Sequence, residues 1–169
     1  MIGELDRANA IITEYLTLAR NKAVDIKLQN LNERIEDIYP LLRTDAVKND
    51  MNIKLELGEI PDLLMDKNEI HQLILNLVRN GIEAMEPGGV LTIKTFPEGG
   101  DVVLAVQDQG QGIDPEVMEH IGIPFFTTKD TGTWLGLPTC YSIAQRHNAK
   151  IDIDTSPYGT IFLVRFKVG

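Results

Sequence analysis

Residues 108–137 read DQGQGIDPEVMEHIGIPFFTTKDTGTWLGL. Asp108, Gly110 and Gly112 open this stretch, Gly132 and Gly136 close it, and PFFTTK, Pro124 to Lys129, lies between. Glycine has no Cβ and lets a backbone approach a ligand closely. Two glycine-bearing turns around a short apolar-basic stretch can wrap an anionic ligand with N–H groups and a lysine. The order is neither G-x-x-x-x-G-K-[ST] nor a G-x-G-x-x-G after a strand. A lone D-x-G-x-G also occurs in ordinary turns, so its weight comes from a second stretch upstream, NLVRNGIEAM, Asn76 to Met85.

Asn76 and Asn80 stand one helical turn apart and therefore share a face. They interrupt an otherwise apolar helix, where asparagine is a poor helix former and a buried carboxamide needs partners. Either they reach solvent or a loop, or their oxygens face a hard cation. Mg²⁺ takes few protein ligands alongside waters and substrate phosphates.

Outward from these stretches the chain alternates helix and strand patterns. Ile2, Leu5, Ala8, Ile12, Tyr15, Leu16 and Ala19 predict an N-terminal helix over residues 2–22, whose stripe would pack on its own domain or on a partner helix. Residues 27–31 are a short extended candidate. A helix is expected over 32–49, with Pro40 kinking or breaking it. Residues 52–57 alternate as a strand, with Ile53, Leu55 and Leu57 on one face. Residues 58–62 read as a loop. Asp66 caps the next helix, with Glu69 as its capping-box partner, and Pro87-Gly88-Gly89 ends it. Residues 90–96 and 102–108 predict a hairpin, 115–121 a short helix, 135–148 a helix, and 150–155 with 160–167 a terminal hairpin. This order predicts an α/β fold: a two-layer sandwich, a mixed β-sheet with helices on one face, preceded by the N-terminal helix.

Composition narrows the classes. The chain has 169 residues, 43% hydrophobic and 24% charged, which suits one domain with an appendage. Its net charge of −9 argues against a nucleic-acid binder. Cys140 is the only cysteine, so no internal disulfide forms, and it reads as a packed thiol. His71, His120 and His147 lack metal-ligand spacing. No apolar run approaches a membrane span and no signal peptide is evident, so a cytoplasmic segment without membrane contact is expected, whether or not a longer parent is anchored.

Together the motifs resemble the catalytic ATP-binding domain of sensor histidine kinases, within the Bergerat-fold (GHKL) ATPase superfamily. NLVRNGIEAM is similar to the N box, DQGQGID to the G1 box, PFFTTK to the F box and TGTWLGL to the G2 box. The resemblance runs from about residue 27 to the C-terminus. It implies residues 1–26 as the end of a dimerisation and phosphotransfer hairpin, second helix only, and 27–169 as the catalytic domain.

The resemblance also implies roles. Asn80 would coordinate Mg²⁺ bridging the ATP phosphates, with Asn76 beside it. Asp108 would accept the adenine amino group, Gly110 and Gly112 would pass close to the base, and Ile113 would line the pocket. Lys129 would reach a phosphate from the ATP lid. Gly132, Thr133, Leu135, Gly136 and Leu137 would form the lid's end, where a helix N-terminus offers N–H groups. Arg79 is either a further phosphate ligand or a solvent-facing arginine. Phe125 and Phe126 would anchor the lid.

In gyrase, mismatch-repair and chaperone relatives a glutamate stands where this chain has Asn76. An asparagine cannot act as a base, so kinase chemistry is implied over hydrolysis. The implied reaction transfers the γ-phosphoryl of Mg·ATP to a histidine on a separate hairpin domain, in a homodimeric parent that then passes phosphate to a response regulator. None of the three histidines here has the context of that acceptor. Two departures stand out: Trp134 replaces the middle glycine of G-x-G-L-G-L, and Gly81 replaces a common alanine. Alternatives are a regulatory module with a lid impaired by Trp134, a Bergerat-fold ATPase, and a serine kinase of the anti-sigma type.

Overall fold

The computed structural model describes residues 25–119 and 136–168, with the backbone alone at Val117. The expected helix over 2–22, the F box, Lys129, Gly132, Thr133, Trp134 and Leu135 lie outside the described residues.

Five strands form one sheet in the order β2-β4-β5-β7-β6: β2 Asn52–Leu57, β4 Val90–Glu98, β5 Asp101–Gln107, β6 Ala149–Ser156 and β7 Gly159–Lys167. β2 runs parallel to β4, and the remaining pairs are antiparallel, so the sheet is mixed as expected. Gly99 and Gly100, both at positive φ, make the two-residue turn between Glu98 and Asp101.

Helices α1 (Leu31–Lys48), α2 (Lys67–Ala84) and α4 (Leu137–Arg146) share a single apolar core with one face of the sheet. Ile35, Leu42, Leu73, Leu77 and Ile143 meet Leu91, Ile93, Val102, Leu104, Val106, Phe162, Val164 and Phe166 there. Each strand alternates, so neighbouring side chains point to the opposite face. α3 is a short turn of helix, Pro115–Met118, started by Asp114 Oδ1 accepting from the Glu116 N–H at 3.0 Å.

Several expectations change. α1 is continuous through Pro40, where a kink or a break was expected, so the break does not occur. Pro40 and Glu36, whose carbonyl loses its helical partner, are both exposed, so water can take the freed oxygen. Residues 63–66 form β3, which sequence alone did not suggest; it pairs antiparallel with β1 (Ile26–Gln29) as a separate ribbon. α4 begins at Leu137 and ends at Arg146, shorter than the expected 135–148.

The capping box is half realised. Asp66 Oδ1 accepts from the Glu69 N–H at 3.0 Å, but the Glu69 carboxylate turns away to Arg146. His147 Nε2 takes its place, accepting the Asp66 N–H at 3.0 Å.

Candidate nucleotide site

α2 carries the site on one face. Its hydrophobic stripe, Ile70, Leu73, Ile74, Leu77, Val78 and Ile82, is buried in the core and fixes the helix's rotation. That rotation leaves Asn76, Asn80, Gly81 and Ala84 stacked along the side toward the glycine-bearing loops. Three contacts show this. A Cβ on Gly136 would lie 3.0 Å from Asn76 Cγ, one on Gly81 would lie 3.5 Å from Asp108 Cβ, and one on Gly110 would lie 2.5 Å from the Ala84 carbonyl oxygen. The two asparagines, the turn after Asp108 and Gly136, remote in sequence, are thus brought together along one helix.

Asp108 follows the last residue of β5 and is 3% exposed. Its Oδ1 accepts two backbone N–H groups, Gly110 at 2.9 Å and Thr160 at 3.1 Å. Its Oδ2 is buried without a hydrogen-bond partner. Burial pushes the Asp108 carboxyl above its ordinary range, against the lowering pull of the Gly110 and Thr160 N–H groups. An oriented, unpaired carboxylate oxygen in a buried place is an acceptor in search of a donor.

Asn80, 4% exposed, has its carboxamide nitrogen buried and without a partner. Which end of an amide is oxygen follows from the bonds it makes, so a turned carboxamide offers Oδ1 at the same place. Asn76 is engaged at both ends. Its Oδ1 accepts from Gln72 Nε2 at 2.7 Å, and its Nδ2 donates to the Gly136 carbonyl at 3.3 Å. The two asparagines therefore differ: one holds the start of α4, and the other presents an unpaired amide.

The loop after Asp108 needs its glycines. Gly112 sits at φ +83, and a Cβ there would lie 2.1 Å from the Ser156 carbonyl oxygen. Ile113, 7% exposed, donates its N–H to Thr155 Oγ1 at 2.8 Å, and Thr155 Oγ1 lies 2.8 Å from Thr160 Oγ1. The β6–β7 hairpin thus straps the loop from behind.

Gly136 is the N-cap residue of α4, and Leu137 is its first, fully buried residue. Arg79 stands apart: its side chain is half exposed and its Nε faces Asp45 Oδ2 of α1 at 3.3 Å. His71 is likewise turned to α1, with Nε2 3.1 Å from Asp37 Oδ2.

Sequence reasoning missed Gln72, Thr155 and Thr160. Gln72 stands four residues before Asn76, a spacing at which glutamine and asparagine meet on a helix. Thr155 and Thr160 carried no signal of their own; only the register of the terminal hairpin places them under Asp108.

With this geometry in view, residues 65–169 match the family described as Histidine kinase-, DNA gyrase B-, and HSP90-like ATPase. The chain belongs to this ATPase family. Its fold matches the Bergerat fold of histidine kinase catalytic domains, as in the nucleotide-free catalytic domain of histidine kinase ThkA: TM-score 0.77, 32% identity, 85% of this chain and 96% of that one. Sporulation kinase C of Bacillus subtilis (strain 168) is 35% identical over 167 residues, covering 97% of this chain. Histidine kinase ThkA in complex with response regulator protein TrrA aligns at TM-score 0.80 and 27% identity, over 98% of this chain and 48% of that one. Within the ATPase family the chain is a histidine-kinase ATP-binding catalytic domain. It spans 39% of the length of sporulation kinase C, well under half of that relative.

Proposed function

We propose that this domain binds Mg·ATP between α2 and the glycine-bearing loops, and that its parent transfers the γ-phosphoryl group to a histidine on a separate helical-hairpin domain. The unpaired Asp108 Oδ2 carries the reading. It is a buried acceptor held by two N–H bonds to its twin oxygen, suited to the amino group of adenine. Gly110 and Gly112 let the loop pack without a Cβ against Ala84 and the β6–β7 hairpin, which would hold its backbone beside the base, and Ile113 would supply an apolar wall.

Asn80 would hold Mg²⁺ through its unpaired carboxamide, with Asn76 beside it. When bound, the metal supplies charge neutralisation across the phosphates. The N-terminus of α4 at Gly136 and Leu137 would face the phosphates with its N–H groups. Lys129, with Gly132, Thr133 and Leu135, would close over them. Arg79 joins them only by leaving Asp45.

In the transfer, the bond between the γ-phosphorus and the bridging oxygen breaks, a phosphorus–nitrogen bond forms on the acceptor imidazole, and ADP leaves. The domain's task is positioning and neutralising charge. Asn76 has no basic atom to activate water, and its carboxamide is already bonded to Gln72 and Gly136, so hydrolysis is disfavoured. Among the described residues no helix is long and apolar enough to cross a membrane. A cytoplasmic placement of this segment, a homodimeric parent and a response regulator that receives the phosphate complete the proposal.

Calorimetric titration of Mg·ATP into this chain tests it, beside Asn80→Ala and Trp134→Gly. Saturable binding that weakens in Asn80→Ala is expected. Tighter binding in Trp134→Gly would locate the effect of the tryptophan in phosphate grip. A folded chain that fails to bind in all three forms would overturn the reading.

A further inference from the structure

The C-terminal end of α4 completes the cap of α2. Asp66 Oδ1 takes the Glu69 N–H and Oδ2 takes the Asp25 N–H at 2.7 Å. The N–H of Asp66 itself goes to His147 Nε2. His147 Nδ1 faces the Ile143 carbonyl at 2.8 Å, so Nδ1 bears the hydrogen and Nε2 is the acceptor. The ring is 8% exposed, so water is a poor substitute for either bond. Next to it, Arg146 Nε lies 2.8 and 3.1 Å from the two Glu69 carboxylate oxygens, and Nη2 reaches the same group. His147, the C-cap residue of α4, thus does the work that Glu69 would do in a capping box, while Arg146 holds the Glu69 carboxylate.

The opposite end of α4 rests on the same partner helix. The Gly136 carbonyl accepts from Asn76 Nδ2, and a Cβ there would crowd the Asn76 side chain at 3.0 Å. α4 is one uninterrupted helix of 10 residues between these two points. Its position along α2 is therefore set at both ends, and a shift at His147 is transmitted to Gly136. Asp108 is anchored differently, by N–H groups of Gly110 and Thr160, neither of which belongs to α4.

We propose that His147 and Arg146 are positioning residues for the phosphate end of the nucleotide site and not for its base end. They fix where α4 lies on α2, and so where the Gly136 carbonyl meets the Asn76 carboxamide beside Asn80. The inference rests on the reading that the asparagine end takes the phosphates and metal while Asp108 takes adenine.

The test compares two probes on this chain: a non-hydrolysable ATP analogue with Mg²⁺, by calorimetry, and adenosine, by chemical-shift titration. The variants are His147→Phe, which fills the space without an acceptor; His147→Gln, which keeps one; and Arg146→Met, which keeps the aliphatic stem. Affinity for the triphosphate is expected to fall about fivefold or more in His147→Phe and Arg146→Met, with adenosine affinity within about twofold of the starting chain. His147→Gln is expected to recover part of the loss. Equal loss for both probes, or unchanged triphosphate affinity in the folded Arg146→Met chain, would overturn the proposal. If His147→Phe does not fold, Arg146→Met beside Glu69→Gln decides by the same criteria. An unmodified chain that binds neither probe sinks the nucleotide reading itself; one that binds both, with variants that fail to separate them, sinks only the positioning role.

Discussion

Asp108 separates stability from recognition. Its buried carboxyl has a raised pKa, so the folded state keeps the proton to higher pH than the unfolded chain does. The stability this group contributes therefore declines as pH rises from the ordinary carboxylate range through the folded value. Asp108→Asn keeps an oxygen for the Gly110 and Thr160 N–H groups and removes the charge. It is expected to melt at the same temperature as the starting chain or higher at pH 7, by circular dichroism. Its amide would also present a donor to the adenine amino group, so ATP affinity is expected to fall about tenfold or more. Asp66 runs the other way. Burial raises its carboxyl, but the N–H groups of Glu69, Asp25 and Asn68 outweigh that and hold it below its ordinary value. Its contribution is complete above that value and is lost as pH falls through the lowered one. The glycines divide similarly. Gly112→Ala meets a carbonyl at positive φ and is expected to cost about 1–3 kcal/mol or more in urea unfolding. Gly81→Ala gains helix propensity of about 1 kcal/mol while its Cβ displaces only the tip of Leu91, so it is expected to stay near neutral.

Among the elements, α1 carries a removable defect. Pro40 lies exposed in its interior, so Pro40→Ala restores the hydrogen bond to Glu36 without touching the core. A gain of about 1–3 kcal/mol is expected in chemical denaturation, with nucleotide affinity unchanged. α1, α2, β2 and both hairpins were legible in the sequence because each has an apolar period matching its geometry and a turn or cap at its ends. β3 was not: Leu63, Leu64 and Met65 do not alternate, and the strand exists only because β1 lies beside it. The half-formed capping box failed for a related reason. The pattern Asp66-x-x-Glu69 is local, but Arg146 and His147 compete for its groups from far along the chain. At the site, Asn76, Asn80 and Asp108 stood out because polar residues in apolar runs and an acid before glycines are costly without a purpose. Thr160 and Gln72 are ordinary in their local context, and their roles appear only when strands and helices are paired.

Across the whole molecule, ligand and fold are linked. A ligand that binds only the folded state at about a hundredfold over its Kd adds about 2.7 kcal/mol of stability. Thermal melts with excess Mg·ATP are therefore expected to rise for the starting chain and much less for Asn80→Ala; an equal rise in both would count against the metal role of Asn80. The sheet order gives this linkage a temporal side. β7 follows β6 in sequence, yet it lies between β5 and β6, and its Thr160 N–H completes the grip on Asp108. During synthesis on the ribosome, everything upstream of Gly159 can emerge while β5 still shows a bare edge. Until β7 is released, the chain would have neither a completed sheet nor the Thr160 bond that orients Asp108. A premature stop or a protease cut ahead of Thr160 would thus be expected to abolish nucleotide binding and leave an adhesive strand edge on β5.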